Sequence, residues 1–130
     1  MRLWDFKLIE FLPKSQLVAQ WRELNSIFAK QDKHILINYI YNYPKSYLLT
    51  YADKVIAEMA RRGIKIKSLE KYNNYFLGVY NTGLERYEEH NEEYLTICYW
   101  NLREKFLRKQ KDFSKEVWDK INKLYMEKWL

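Results

Sequence analysis

Residues 13–28 read PKSQLVAQWRELNSIF, and their spacing decides the fold. Leu17, Trp21, Leu24 and Phe28 recur at intervals of four, three and four, which is the buried stripe of an amphipathic helix. Pro13 fits the first position of that helix, where its missing N–H costs nothing. Gln16, Gln20, Glu23 and Ile27 form the adjacent row. Glu23 therefore falls at the rim of the stripe, where a carboxylate can be partly desolvated while facing a cleft. Arg22 lies on another side, near Val18 and Ser26.

The pattern continues outward from that helix. Residues 30–43 turn from polar to aliphatic-aromatic and stop at Pro44, which reads as a continuation of the helix or a short second one. From Lys45 to Arg62 the spacing predicts a further helix, with Leu48, Tyr51, Val55 and Met59 inward and Gly63 as a left-handed stop. Residues 64–89 carry Asn73-Asn74, Gly78 and Thr82-Gly83 and read as a long, Tyr-rich irregular segment. Near Asn91 another helix opens, with Glu92 and Glu93 favourably placed in its first turn and Leu95, Cys98, Leu102 and Phe106 on its apolar face. A last amphipathic segment opens around Asp112 to Ser114, with Val117, Ile121, Leu124 and Tyr125 inward. The expectation is an all-α, compact single-domain bundle of three to five helices spanning 1–130, in which 108–130 could stand as a helical appendage.

Composition narrows the classes. In 130 residues, 48% apolar and 31% charged side chains exclude wholesale disorder, and three glycines with two prolines leave little for the turns of a β-sandwich. A single cysteine, Cys98, excludes a disulfide scaffold and any multi-cysteine metal site. No stretch approaches the roughly 18 apolar residues needed to span a bilayer, and Asp5 and Glu10 come too early for a signal peptide, so a cytoplasmic protein is expected. The net charge of +6 is uneven, with 11 Lys/Arg against 6 Asp/Glu in residues 1–65. Glu85, Glu88, Glu89, Glu92 and Glu93 form an acidic run, followed by a basic one from Arg103 to Lys115. Clustered cations of this kind suit a polyanion, because binding releases phosphate counterions; they equally suit a solvated surface.

No Gly-rich phosphate loop, HExxH or GxSxG is present. His34 and His90 lie apart and read as surface or hydrogen-bonded structural histidines, and Cys98 as a buried inert thiol. Trp118, Tyr125 and Trp129 read as packing groups of the last helix. Metal and organic cofactor are not expected.

The ordered wording says more. Gln16-Leu17-x-x-Gln20-Trp21-Arg22-Glu23-Leu24, then Phe28, then Lys33-His34, resembles the first helix of the pyrimidine-dimer DNA glycosylase family, whose type enzyme is a bacteriophage endonuclease V. Arg2 matches the family's arginine after its N-terminal residue, and Ile56 to Gly63 resembles its second long helix, closed by a basic pair and glycine. Asn38-Tyr39 and the stretch His90 to Leu95 are similar to bacterial members. The resemblance implies a DNA glycosylase with abasic-site lyase activity acting on damaged double-stranded DNA, without metal or cofactor. It implies that an N-terminal α-amine attacks deoxyribose C1′ and that the Arg-Glu glutamate assists. Aligning Arg2 places Met1 at the nucleophile and Glu23 at the glutamate; Arg2, Gln16, Arg22, Lys33 and His34 become candidate DNA contacts. Gln16 stands where the family has a histidine, and Ser26 where the type enzyme has an arginine. An α-amine suits this chemistry because such groups titrate at about 7.7–8.0, whereas an ordinary lysine titrates near 10.4.

Two other readings remain open at this point. One is a non-catalytic DNA-binding module on the same scaffold, and the other is a protein-interaction domain using the acidic run and the Tyr-rich segment. Nothing in the sequence requires an oligomer, so a monomer is expected.

Overall fold

A computed structural model describes residues 1–128 and is all-helical, with no strand among the described residues. An extended segment (residues 1–5) leads into a 3₁₀ helix (Phe6–Phe11), then α1 (Lys14–Lys30), a second 3₁₀ helix (Asn38–Asn42) and α2 (Lys45–Arg61). A short α3 (Glu70–Tyr75), α4 (Glu92–Leu107) and α5 (Lys115–Glu127) complete it. α1 packs on α2 and α3, α4 on α5, and the first 3₁₀ helix wedges against both α2 and α5.

The stripe of α1 is buried as its spacing predicts, but the buried arc is one row wider. Gln20 and Ile27 join Leu17, Trp21, Leu24 and Phe28 inside, while Glu23 is half-exposed at the rim. Pro13 stands at the N-cap, just outside the first helical position, and offers no side-chain cap. The missing cap comes from the other end of the chain. Asp112, in the turn between α4 and α5, accepts the Ser15 backbone N–H at 2.7 Å and the Ser15 hydroxyl at 2.9 Å. A carboxylate there satisfies an orphan N–H and favours the positive end of the helix dipole.

α2 buries Leu48, Tyr51, Val55 and Met59 as expected, and Gly63 follows it in the left-handed region at φ +72°. Within α2, Glu58 is almost wholly buried and ion-paired to Arg61 and Arg62. Arg62 also donates to the carbonyls of Leu12 (2.7 Å) and Glu10 (3.1 Å), tying the end of α2 to the end of the first 3₁₀ helix. Asn91 and Ser114 cap α4 and α5 through their side chains.

One expectation is settled and one changes. Of the two readings of residues 30–43, the short second helix is the one formed, as the 3₁₀ helix Asn38–Asn42, reached by a loop after α1 stops at a left-handed Gln31. Residues 64–89 are not irregular throughout, because α3 lies within them. Its Asn pair is a poor helix former, and packing compensates: Phe28 meets Tyr72, Tyr75 and Phe76 at ring separations of 5.1–6.2 Å. α3 and the rest of that segment are held by α2, through Thr50 to Asn81 and Glu85, and through Asp53 to Tyr72 and Asn81.

α5 belongs to the same buried cluster through Ile121. Tyr125 stacks on Tyr99 at 3.8 Å and Trp118 on Phe106 at 5.4 Å, so both are packing groups; Trp129 lies outside the described residues. Among the described residues, no helix is long and apolar enough to cross a membrane.

Asp112 sits at φ +62°, where Asp and Asn are tolerated and alanine is strained. Asp112→Ala is expected to cost about 1–2 kcal/mol through the lost cap and the backbone strain, and Asp112→Asn clearly less. Urea unfolding of the three proteins side by side checks this.

Candidate active site at the N-terminal segment

The extended N-terminus has no sheet to satisfy its main chain, and buried amide groups must find partners. Side chains from three helices supply them. Gln20 of α1 accepts the Trp4 N–H at 2.8 Å and donates to the Arg2 carbonyl at 3.0 Å. The Tyr51 hydroxyl of α2 lies 2.7 Å from the Trp4 carbonyl and 2.8 Å from Gln20 Oε1, sharing its one proton between them. Tyr94 of α4 donates to the Leu3 carbonyl, and the Arg2 guanidinium lies 5.8 Å from its ring.

This strapping brings the chain start to Glu23. The Met1 ammonium and the Arg2 backbone N–H both stabilise the Glu23 carboxylate, as do Arg22 and Lys105 of α4, while Gln20 Nε2 donates to Glu23 Oε2 at 3.1 Å. Burial nevertheless outweighs the surrounding positive charge and holds the carboxyl above its ordinary value. An amine and a carboxylate with a raised pKa thus share one half-buried rim.

The other expected residues are spread along α1. Arg22 is exposed on the ridge between two grooves. One, of about 640 Å³, runs between α1 and residues 64–71 and is lined by Trp21, Lys30, Lys65, Lys67 and Lys71. The other, of about 650 Å³, lies toward Lys14, Gln110 and Lys111. Gln16 is half-buried near the start of α1, where it donates to Gln110 at 2.8 Å. Lys33 and His34 are exposed beyond the far end of α1, with His34 Nδ1 accepting the Leu36 N–H at 3.1 Å. At about 1.5 Å per helical residue, Gln16 and Lys30 alone stand about 21 Å apart, so these residues mark a long surface and not one pocket.

Sequence reading missed Gln20, Tyr51, Tyr94 and Lys105 as neighbours of the site. Gln20 carried the one available signal, a polar residue on the row beside an apolar stripe. His90 is the structural histidine expected. Its Nδ1 accepts the Phe6 N–H at 3.3 Å, which leaves Nε2 to donate to the Tyr39 hydroxyl 2.6 Å away. Burial holds its pKa down to about 4. Cys98 is buried, and burial raises its thiol to about 11, as suits an inert residue. Among the described residues, no group of His, Cys, Asp and Glu is arranged to hold a metal ion.

Fold and grooves together define a small all-α protein with cationic troughs suited to a polyanion. Residues 1–72 match the family model of pyrimidine dimer DNA glycosylase. The match covers more than half of the chain, and the protein belongs to that family, which makes DNA its substrate and glycosidic cleavage in DNA repair its reaction class. No curated protein and no solved structure matched the chain.

Two pH dependences follow, with opposite signs. A raised carboxyl pKa means that the folded state holds the proton more tightly than the unfolded one, so ionised Glu23 opposes folding above its folded pKa. Glu23→Gln keeps an oxygen for Gln20 and Arg2 and removes that charge. It should melt at or above the wild-type temperature at pH 7, with the difference closing as the pH falls toward about 4, where the model-peptide carboxyl is itself mostly neutral. His90 behaves the other way. Its lowered pKa stabilises the fold above about 6.5, a contribution of up to about 3 kcal/mol that is lost as pH falls toward 4. His90→Gln should lack that share of the acid slope in urea titrations at pH 7, 5.5 and 4.

Proposed function

We propose that the protein is a DNA glycosylase with abasic-site lyase activity, using the α-amine of Met1 as nucleophile and Glu23 as its charged partner. The observation that carries this reading is the charge of the Met1 amine acting on a half-buried Glu23, next to an Arg22 that borders cationic grooves, in a chain of this family.

The neutral amine attacks C1′ of the deoxyribose while the glycosidic bond breaks, and the base departs with the bonding electron pair and takes up a proton. Opening of the C1′–O4′ bond gives an imine between Met1 and the sugar. Loss of a C2′ proton then expels the 3′ phosphate and nicks the strand. Glu23 stabilises the cationic sugar as it forms and moves protons between these steps, a role for which a carboxyl of raised pKa is suited. Arg2 on the N-terminal segment, Gln16 and Arg22 on α1, and Lys33 and His34 beyond its end contact phosphate and sugar. Lesions that weaken base pairing, pyrimidine dimers among them, lower the cost of reaching C1′. The protein acts as a monomer through one domain spanning 1–130.

The test is to incubate the protein with a duplex carrying one abasic site and to add borohydride. A covalent adduct that disappears on acetylation of the Met1 amine is expected. Glu23→Gln should slow its formation by about 100-fold or more while binding DNA as well as wild type. Tight, salt-sensitive binding with no adduct would instead make the protein a DNA-binding module.

A further inference from the structure

We infer that Gln20 is the positioning residue that sets the Met1 amine and Glu23 in register, a role that rests on the reading of those two groups given above. The geometry is specific to a carboxamide. Gln20 is 1% exposed, and all four of its hydrogen-bonding sites are used. Its oxygen meets the Trp4 N–H and the Tyr51 hydroxyl, and its two N–H groups meet the Arg2 carbonyl and Glu23 Oε2. The Trp4 N–H can only donate and the Arg2 carbonyl can only accept, so the amide has one orientation. That orientation turns an N–H onto Glu23.

One side chain therefore grips the N-terminal segment on both sides of Leu3 and, with the same nitrogen, the carboxylate. No other residue of the described chain is hydrogen-bonded both to the segment's main chain and to the Glu23 side chain. A purely structural clamp would need only the bonds to Arg2 and Trp4. The bond to Glu23 adds a donor to a carboxylate whose pKa burial raises, from the same nitrogen that holds the Arg2 carbonyl.

Four proteins separate the possibilities: wild type, Gln20→Met, which removes all four bonds at similar length, Gln20→Glu, which keeps the shape but replaces both donors, and a stability control. Single-turnover adduct formation on an abasic duplex is followed from pH 5 to 9, with duplex affinity measured alongside. The Glu23 side-chain carboxyl is titrated independently by carbon NMR. Gln20→Met should slow the adduct by about 100-fold, the scale expected of a misplacement near 1 Å, with affinity held within about two-fold. The Glu23 titration and the acid limb of the rate profile should both move to higher pH. Gln20→Glu should be as slow at neutral pH and recover toward acid, where its protonated carboxyl regains a donor. Ile121→Val, a core change in α5, serves as the control for lost stability and should leave both profiles where they are.

An unmoved Glu23 titration or an unchanged adduct rate in Gln20→Met overturns the proposal. So does an Ile121→Val profile that shifts in parallel. Should wild type itself form no adduct, the reading of Met1 fails, while the NMR titration still reports whether Gln20 governs Glu23.

Discussion

The main-chain groups of residues 2–4 lie in the protein interior without a sheet or helix to receive them, and their hydrogen bonds come from Gln20, Tyr51, Tyr94 and Glu23. An unmet amide in such a place costs about 1–3 kcal/mol, so this demand reaches far into the sequence. It puts a glutamine on the buried face of α1, where periodicity alone would place an apolar residue. It puts a tyrosine hydroxyl at the centre of α2, and another near the start of α4. One extended segment is thereby bonded to three helices at once. α1 is fixed at its other end as well, because its cap is borrowed from the turn before α5.

Two glutamates show how unevenly the fold treats charge. Burial pushes the Glu58 carboxyl upward, yet bonds from Arg61 and Arg62 outweigh it and leave its pKa lowered, so its charge supports folding. Burial pushes Glu23 in the same direction, and an amine, an arginine, a lysine and a backbone N–H fail to offset it. The charge of Glu23 thus opposes folding, which supports the role proposed for it. Asp5 is a third case. Its Oδ1 caps the first 3₁₀ helix, its Oδ2 is buried without a partner, and burial raises its pKa.

Most of the helical scaffold was legible because its signals are local. The stripe of α1, the stop at Gly63 and the caps Asn91 and Ser114 need only neighbours in sequence. α3 was not legible, because six residues with two asparagines form a helix only when Phe28 is there to pack against. The proposed site was legible only in part. Met1, Arg2, Arg22 and Glu23 could be named from ordered wording, and the positive charge of the Met1 amine acts on the Glu23 carboxylate. Lys33 and His34 share the sequence neighbourhood but sit beyond the end of α1. Gln20, Tyr51 and Tyr94 are separated by 31 and 43 residues along the chain. Their common task is created only by folding, and no periodicity encodes it.

Because the strap grips main-chain atoms, it measures the segment by length, while Met1 packs on the core and Arg2 lies over the Tyr94 ring. One residue inserted ahead of the clamped amides would carry the Met1 nitrogen onward by about 3.5 Å, beyond the reach of a hydrogen bond. The protein thus contains a gauge, calibrated in peptide units between residue 2 and its clamp.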